Sequence, residues 1–331
     1  MLNTLRESSI FQFARMIPNM VSEYWTFAKS NARSGKTHNA NKTLTSILML
    51  THALEKAFSL PSKRKSFGEK KASELLREIS DYISSFGYDR HLEVPIALLL
   101  KYIDYHKLNG SISAKQQALE SDLDKLLSHL GFDKVTFNKA GAITKSKEQM
   151  ETLMHSDFPT LAMGRYSVRD FGEGSIPADA LTTALTIASK SPSACNRQAY
   201  RVHIFKGKQK KNILDFQGGA SSFSDAADVA ILVTADLNRY YSREVHLGYV
   251  DASLYAMSLI YALTSQGIAS IPLTMGIASR KLRQLKKDFG IPTNEMPVIL
   301  IAAGNYKDSF SVSMSYRNSI EDFVSFHSEG R

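Results

Sequence analysis

The first apolar residues to recur are Ile10, Phe13, Ile17, Met20, Tyr24 and Phe27, at steps of three and four. That spacing is the stripe of a helix. Pro18 falls within it and predicts a kink or a break into two helices, because proline removes a backbone donor. The stripe, with the one tryptophan, Trp25, beside it, is expected to pack on its own protein. Residues 40–60 repeat the pattern through Leu44, Ile47, Leu48, Leu54 and Phe58 and stop at Pro61. Further helices are predicted over residues 69–86, 92–108 and 114–130, each closed by a turn signal: Gly87, Asn109-Gly110 and Gly131. Residues 135–144 have no clear period and read as a connection.

Beyond that connection the pattern changes. Helices are predicted over residues 177–190, 208–216, 245–266 and 279–289, the first opening with a proline and the last followed by Gly290. Between them lie short apolar runs at 200–205, 227–234, 268–273 and 298–303, which read as strands. Few buried strands with much helix imply a central sheet covered by helices. The expected class is α+β, with an all-α domain over residues 1–145 and a sheet domain over residues 146–331.

Composition narrows the picture only a little. A chain of 331 residues has room for two domains, and 43% hydrophobic with 22% charged residues is ordinary for a globular protein. A single cysteine, Cys195, excludes an intrachain disulfide and any multi-cysteine metal site, and a reducing cytoplasm fits best. No apolar run reaches the length of a membrane span, and no signal peptide is read at the N-terminus. The net charge is +9, with the excess densest at Lys63-Arg64-Lys65 and Lys70-Lys71. No aromatic residues interleave there, so the basic run is expected to be a solvated loop rather than a nucleic-acid site.

Candidate chemistry sits in two polar stretches. In residues 164–171, Gly-Arg-Tyr-Ser-Val-Arg-Asp-Phe, the residues Arg165, Ser167 and Arg169 take alternate positions. In an extended backbone their side chains point the same way. Two guanidiniums flanking a hydroxyl suit an anion, while an ion pair of Arg169 with Asp170 or another carboxylate is the plainer alternative. Residues 191–198, Ser-Pro-Ser-Ala-Cys-Asn-Arg-Gln, form a polar turn between helix and strand. Asn196 and Gln198 there could equally satisfy turn backbone, and Cys195 is expected to be a small residue packed in that turn. His52, Glu55 and Lys56 lie within one helical turn and are expected to be the polar edge of a bundle helix rather than metal ligands.

Arg-x-Ser-x-Arg-x-Phe at 165–171, then Pro-Ser-Ala-x-Asn-x-Gln at 192–198 before a strand, resembles the nitroreductase family of FMN-dependent oxidoreductases. Later pieces follow in the family's order: a long helix at 249–267, a loop at 267–276, a strand at 297–304, and the tail Ser315-Tyr316-Arg317. The resemblance covers about residues 155–327. It implies a mixed central sheet and an intertwined homodimer with flavin at the interface. Arg165 and Ser167, with Tyr166 between them and Arg317 from the tail, would hold the FMN phosphate. Arg169 would sit by the flavin N1 and C2 carbonyl. Pro192, Ser193, Ala194 and Asn196 would reach the flavin bound mainly by the other subunit, and Gln217 would meet the pyrimidine end. Pro272, Leu273 and Thr274 would flank N5, the loop supplying it with a backbone N–H. Thr274 stands where many relatives carry an acid, and Ala199-Tyr200 where Pro-Trp is usual.

The activity implied is ping-pong hydride transfer through flavin N5. NADH or NADPH is the reductant, and a flat electron-poor acceptor such as a nitroaromatic or quinone is the second substrate. No side chain is expected to be catalytic. His-Ala-Leu-Glu-Lys-Ala-Phe at 52–58, before the basic loop, is similar to an N-terminal module found before some nitroreductase domains in surface-polysaccharide gene clusters. The alternative is therefore a flavin-fold binding or regulatory protein associated with surface-polysaccharide assembly, docking through its basic helical half.

Overall fold

The structure is a computed structural model that describes residues 8–34, 39–60, 67–110, 112–134, 137 and 139–327. The chain divides into two compact units. One comprises Met1–Tyr24 with Thr144–Val312, and the other Trp25–Ile143 with Ser313–Arg331. Pro61 and the basic run Lys63-Arg64-Lys65 lie outside the described residues.

Helix α1 (Ser9–Ser30) is a single helix that carries Pro18 in its interior, rather than two helices, and none of its residues is buried. The expectation that its stripe packs on its own protein is therefore corrected: Ile10, Phe13, Tyr24 and Phe27 are all more than half exposed.

In the helical unit, α2 (Ala40–Phe58), α3 (Glu69–Phe86), α4 (Glu93–Leu108) and α5 (Ala114–Leu130) follow the predicted periods. Asn39 caps α2 by accepting from the Lys42 N–H, and Ser113 with Gln116 forms a capping box on α5. α4 is apolar nearly all round and so lies at the centre, with Ile96, Leu98, Leu99 and Tyr102 buried among Ile47, Leu54, Leu75 and Leu123. The buried Tyr102 hydroxyl donates to the Phe67 carbonyl at 2.9 Å and accepts from Gln116 Nε2 at 2.7 Å. Burial lowers the pKa of His106, which stacks among Phe67, Tyr102 and Tyr105. Glu55 is 4% exposed and accepts from the Ser315 N–H at 3.2 Å. Asp322 pairs with Arg90, and these two contacts explain why the C-terminal segment groups with the helices.

α5 ends on Gly131, in the left-handed region at φ 71°, with open space where a side chain would stand. Gly131→Ala is expected to cost about 1 kcal/mol, all of it backbone strain, seen as a lower urea midpoint with unchanged slope.

The sheet unit is built on β3 (Tyr200–Lys206), β4 (Val229–Asp236), β5 (Ile268–Thr274) and β6 (Glu295–Tyr306), with the two-residue β2 (Phe171–Gly172) beside β6. The order is β3-β4-β6-β5, and every ladder is antiparallel, not the mixed arrangement expected. β4 is buried on both faces, which is why its sequence is an unbroken apolar run. Val229, Ile231 and Val233 pack with α8 (Ala178–Ala188) and α10 (Leu247–Ser265), through Leu259 and Leu263. α9 (Gly207–Gln217) packs against β3 and β4. β1 (Ala142–Ser146) and β7 (Ser309–Ser313) form a two-stranded ladder that the sequence did not predict. The short helices α6 (Lys147–Glu151) and α7 (Phe158–Gly164) were also unpredicted, although Ser146-Gln149 and Asp157 before proline are cap signals. α11 (Ser279–Asp288) joins β5 to β6.

Candidate functional site

The arginine segment begins where α7 stops. Arg165 is its C-cap in extended backbone, with its N–H on the Leu161 carbonyl. Three residues on, the Val168 N–H donates to the Ser270 carbonyl at 3.1 Å, which lays residues 165–169 against β5. Arg165, Tyr166 and Ser167 are half-buried, whereas Val168 and Arg169 are buried, Arg169 to 6% exposure. The Arg165 charge reaches the hydroxyl of Tyr306 at the end of β6: burial pushes that phenol's pKa up, and Arg165 opposes the shift. Lys145 lies 5.1 Å over the Tyr166 ring. Asp170 is paired with Lys307 at 3.3 Å, so it is not reserved for Arg169.

The far end of β5 receives α9. Gln217 Nε2 donates to the Thr274 carbonyl at 2.9 Å, and Gln217 Oε1 accepts from the Gly219 N–H at 2.7 Å. Thr274 Oγ1 in turn accepts from the Gly276 N–H at 3.2 Å. Pro272 and Thr274 are exposed and Leu273 is buried, the alternation of a strand at a sheet edge. One edge strand thus carries the arginine segment near its start and the Gln217–Thr274 contact at its end, roughly 13 Å apart along the chain.

The turn at 192–198 is anchored elsewhere. Asp251, the one charged residue of α10 and 2% exposed, accepts from the Ala194 N–H at 3.0 Å and from the Tyr240 hydroxyl at 2.8 Å. Burial, and then the bond to Asp251, push the Tyr240 phenol up. Arg197 grips Glu244 with both guanidinium arms, at 2.7 and 3.0 Å, and stacks 5.0 Å over Tyr240. That hydrogen bonding holds the Glu244 carboxyl below the usual range. Within this frame Cys195, Asn196 and Gln198 all take positive φ, at 52°, 52° and 48°. Side chains other than glycine and asparagine rarely do so, and such residues cluster where a turn must present its backbone. Ser193 Oγ accepts from the Gln198 N–H, and Gln198 Nε2 donates to Asn196 Oδ1, so both amides also serve the turn itself. Cys195 is exposed, not packed as expected.

Arg317 groups with the helical unit, exposed, its guanidinium on the Ser315 carbonyl. A cleft of 1060 Å³ in the sheet unit is lined by Asp170, Glu173, Lys210, Asp228 and Lys307 among others, but by none of the predicted flavin residues. Its charges are mixed, Asp170 pairing with Lys307 and Lys210 donating to the Ser224 and Asp225 carbonyls, and we assign it no ligand. Among the described residues no group of three His, Cys, Asp or Glu side chains could hold a metal ion. Nor is any helix long and apolar enough to cross a membrane. Sequence reasoning missed Asp251, Glu244 and Tyr306. Asp251 had a signal, as a lone carboxylate in an otherwise uncharged helical run.

The donors gathered at β5 suit FMN. Guanidiniums and a hydroxyl fit a phosphate, and amide and backbone groups at the other end fit a carbonyl-rich ring.

Residues 162–222 match the model of the nitroreductase family. The match takes in residues 165–169, 192–196 and Gln217 and stops before Pro272, Leu273, Thr274 and Arg317. No curated protein matches the chain by sequence. Among solved structures, the chain is similar to a nitroreductase family protein from Clostridium difficile 630, at 23% identity and TM-score 0.44, over 52% of this chain and 99% of that one. An FMN-dependent nitroreductase from Clostridium difficile R20291 is similar at 17% identity and TM-score 0.45, over 52% and 99% of the two chains. A nitroreductase family protein from Streptococcus pneumoniae TIGR4 is similar at 19% identity and TM-score 0.44, over 52% and 100%.

Proposed function

We propose that this chain is an FMN-dependent oxidoreductase that takes electrons from NADH or NADPH and passes them to a flat electron-poor acceptor, such as a nitroaromatic or a quinone. The observation that carries this reading is the Arg165-Ser167-Arg169 segment seated on the edge strand β5, inside the stretch that matches the family model. When bound, FMN would supply the two-electron chemistry. The protein binds and orients it. Arg165 and Ser167, with Tyr166 between them, would hold the phosphate. Arg169, buried and fixed, offers positive charge to the pyrimidine side of the ring, where electrostatic stabilisation in a dry site is strongest. Gln217 holds the Thr274 carbonyl and so orients the Pro272-Leu273-Thr274 backbone along the ring edge. A threonine can replace the acid there because the donor required is a backbone N–H.

Pro192, Ser193, Ala194 and Asn196 present their turn to the flavin of a second copy, so the working form is a homodimer. No side chain is assigned as nucleophile or obligatory base. We further propose that the chain works as two domains, 1–145 and 146–331, in the cytoplasm.

The test is the visible spectrum of the purified protein before and after anaerobic NADH and NADPH. The expected result is a yellow protein whose flavin band bleaches with one or both nicotinamides. Colourless protein that does not take up added FMN overturns the reading. Flavin that binds but is reduced by neither nicotinamide points instead to the binding or regulatory protein associated with surface-polysaccharide assembly.

A further inference from the structure

Helix α11 carries more positive charge than its packing uses. Five of its ten residues are Lys or Arg, and its one acid, Asp288, is held by Gln284 at 2.5 Å. Leu285 is buried and Leu282 half-buried, which sets the inward face. Phe289, the C-cap, packs edge to face on Phe205 at 5.8 Å and on Phe216 at 6.0 Å, tying the helix to β3 and α9. Lys286 is used locally, donating to the Thr293 carbonyl at 3.0 Å.

Opposite Leu285 stand Arg280, Arg283 and Lys287, all exposed, at the i, i+3 and i+7 positions of one helix face. They line about 10 Å of it. Among the described residues none of the three is paired with a carboxylate. Like charges at this spacing repel across a helix surface, and a bound anion relieves that repulsion. The whole of α11 lies within one compact unit, the one that holds the sheet.

The cationic face starts beside the candidate flavin site. Lys281 Nζ lies 5.0 Å over the ring of Phe216, and the next residue, Gln217, holds the Thr274 carbonyl at 2.9 Å. That contact orients the backbone assigned above to the flavin edge, where a nicotinamide must stack to give up hydride. The remainder of the dinucleotide then extends over adjoining surface. NADPH differs from NADH by one group there, the phosphate on the adenosine 2′ oxygen, which adds about 1.5–2 negative charges. Dinucleotide sites built for the bare 2′-hydroxyl offer it a carboxylate, and sites built for the phosphate offer arginine. The outward face of α11 offers two guanidinium forks and an ammonium, and its one carboxylate is already taken by Gln284.

We propose that Arg280 and Arg283, with Lys287, bind the 2′-phosphate of NADPH and so select NADPH over NADH as the reductant. The inference rests on the flavin reading for the use made of the nucleotide, and on α11 alone for its binding.

Anaerobic bleaching of the flavin-loaded chain, followed against nucleotide concentration, is the first measurement, with Arg280→Ala combined with Arg283→Ala as the variant. The wild type is expected to be half-saturated by NADPH at a concentration at least about 10-fold below that for NADH, and the variant to lose most of that difference. Added salt should weaken NADPH more than NADH. Equal use of the two nucleotides by the wild type, or a variant that keeps the wild-type preference, overturns the proposal. Phosphorus NMR of NADP+ titrated with the wild-type chain is the second measurement and needs neither flavin nor a variant. The 2′-phosphate resonance is expected to shift as the chain is added, and a resonance that does not move overturns the proposal. The two readings fail separately: protein that takes up no FMN but shifts that resonance defeats only the flavin assignment. Yellow protein bleached equally well by both nucleotides defeats only this one.

Discussion

Arg165→Ala is expected to weaken FMN binding by about 10- to 100-fold, measured by titrating apoprotein with FMN and following the quenching of flavin fluorescence. A hydrogen bond to a charged group contributes about 1.5–3 kcal/mol, and a guanidinium on a phosphate belongs to that class. Arg165 is half-buried at the C-cap of α7, and the hydrogen bond that places it there is its backbone N–H to Leu161, which alanine keeps. Arg165→Lys keeps the charge without the planar fork and should recover only part of the affinity. Unchanged affinity in Arg165→Ala would remove this residue from the phosphate site. Arg169 is 6% exposed and engaged with its surroundings, so its loss should act on the fold as well as on the flavin.

The second large effect is expected at Asp251. Asp251→Leu should lose about 2–4 kcal/mol of stability, because the buried carboxylate answers two donors at once and leucine answers neither. At about 2–4 °C per kcal/mol for a domain of this size, the melting temperature should fall by roughly 4–16 °C. The same change releases the turn that carries Cys195, Asn196 and Gln198 at positive φ, a conformation that persists only while its surroundings hold it. Limited proteolysis should then cut within residues 192–198, which the wild type resists. Asp251→Asn retains an acceptor for the Ala194 N–H and should lose about half as much. Equal stability of wild type and Asp251→Leu would show that the Arg197–Glu244 grip alone suffices.

Much of the local structure was legible in the chain. The helices from α2 to α5 fall within a few residues of their periods, because apolar spacing and capping residues such as Asn39 and Ser113 act over one or two turns. β4 was legible for a related reason: a strand buried on both faces has no polar residue to hide it. The elements that were missed are short. β1, β7, α6 and α7 span five to seven residues each, too few for a period to declare itself. The candidate site was legible as residue types but not as a place. Arg165, Ser167 and Gln217 were singled out, yet only the Val168–Ser270 and Gln217–Thr274 contacts put them at two ends of one strand.

By itself, then, the sequence determined where the longer helices and the apolar strands form, the cationic segment at 165–169, and the helical stripe of α1. Each of these is a property of residues a few positions apart. Tertiary structure alone decided that the ladders run antiparallel, that Asp251 anchors a turn 57 positions earlier, that the tail joins the helical unit through Glu55, and that α1 finds no cover within its own described chain. Those outcomes depend on which distant groups meet and which are left facing solvent, and no local period encodes that.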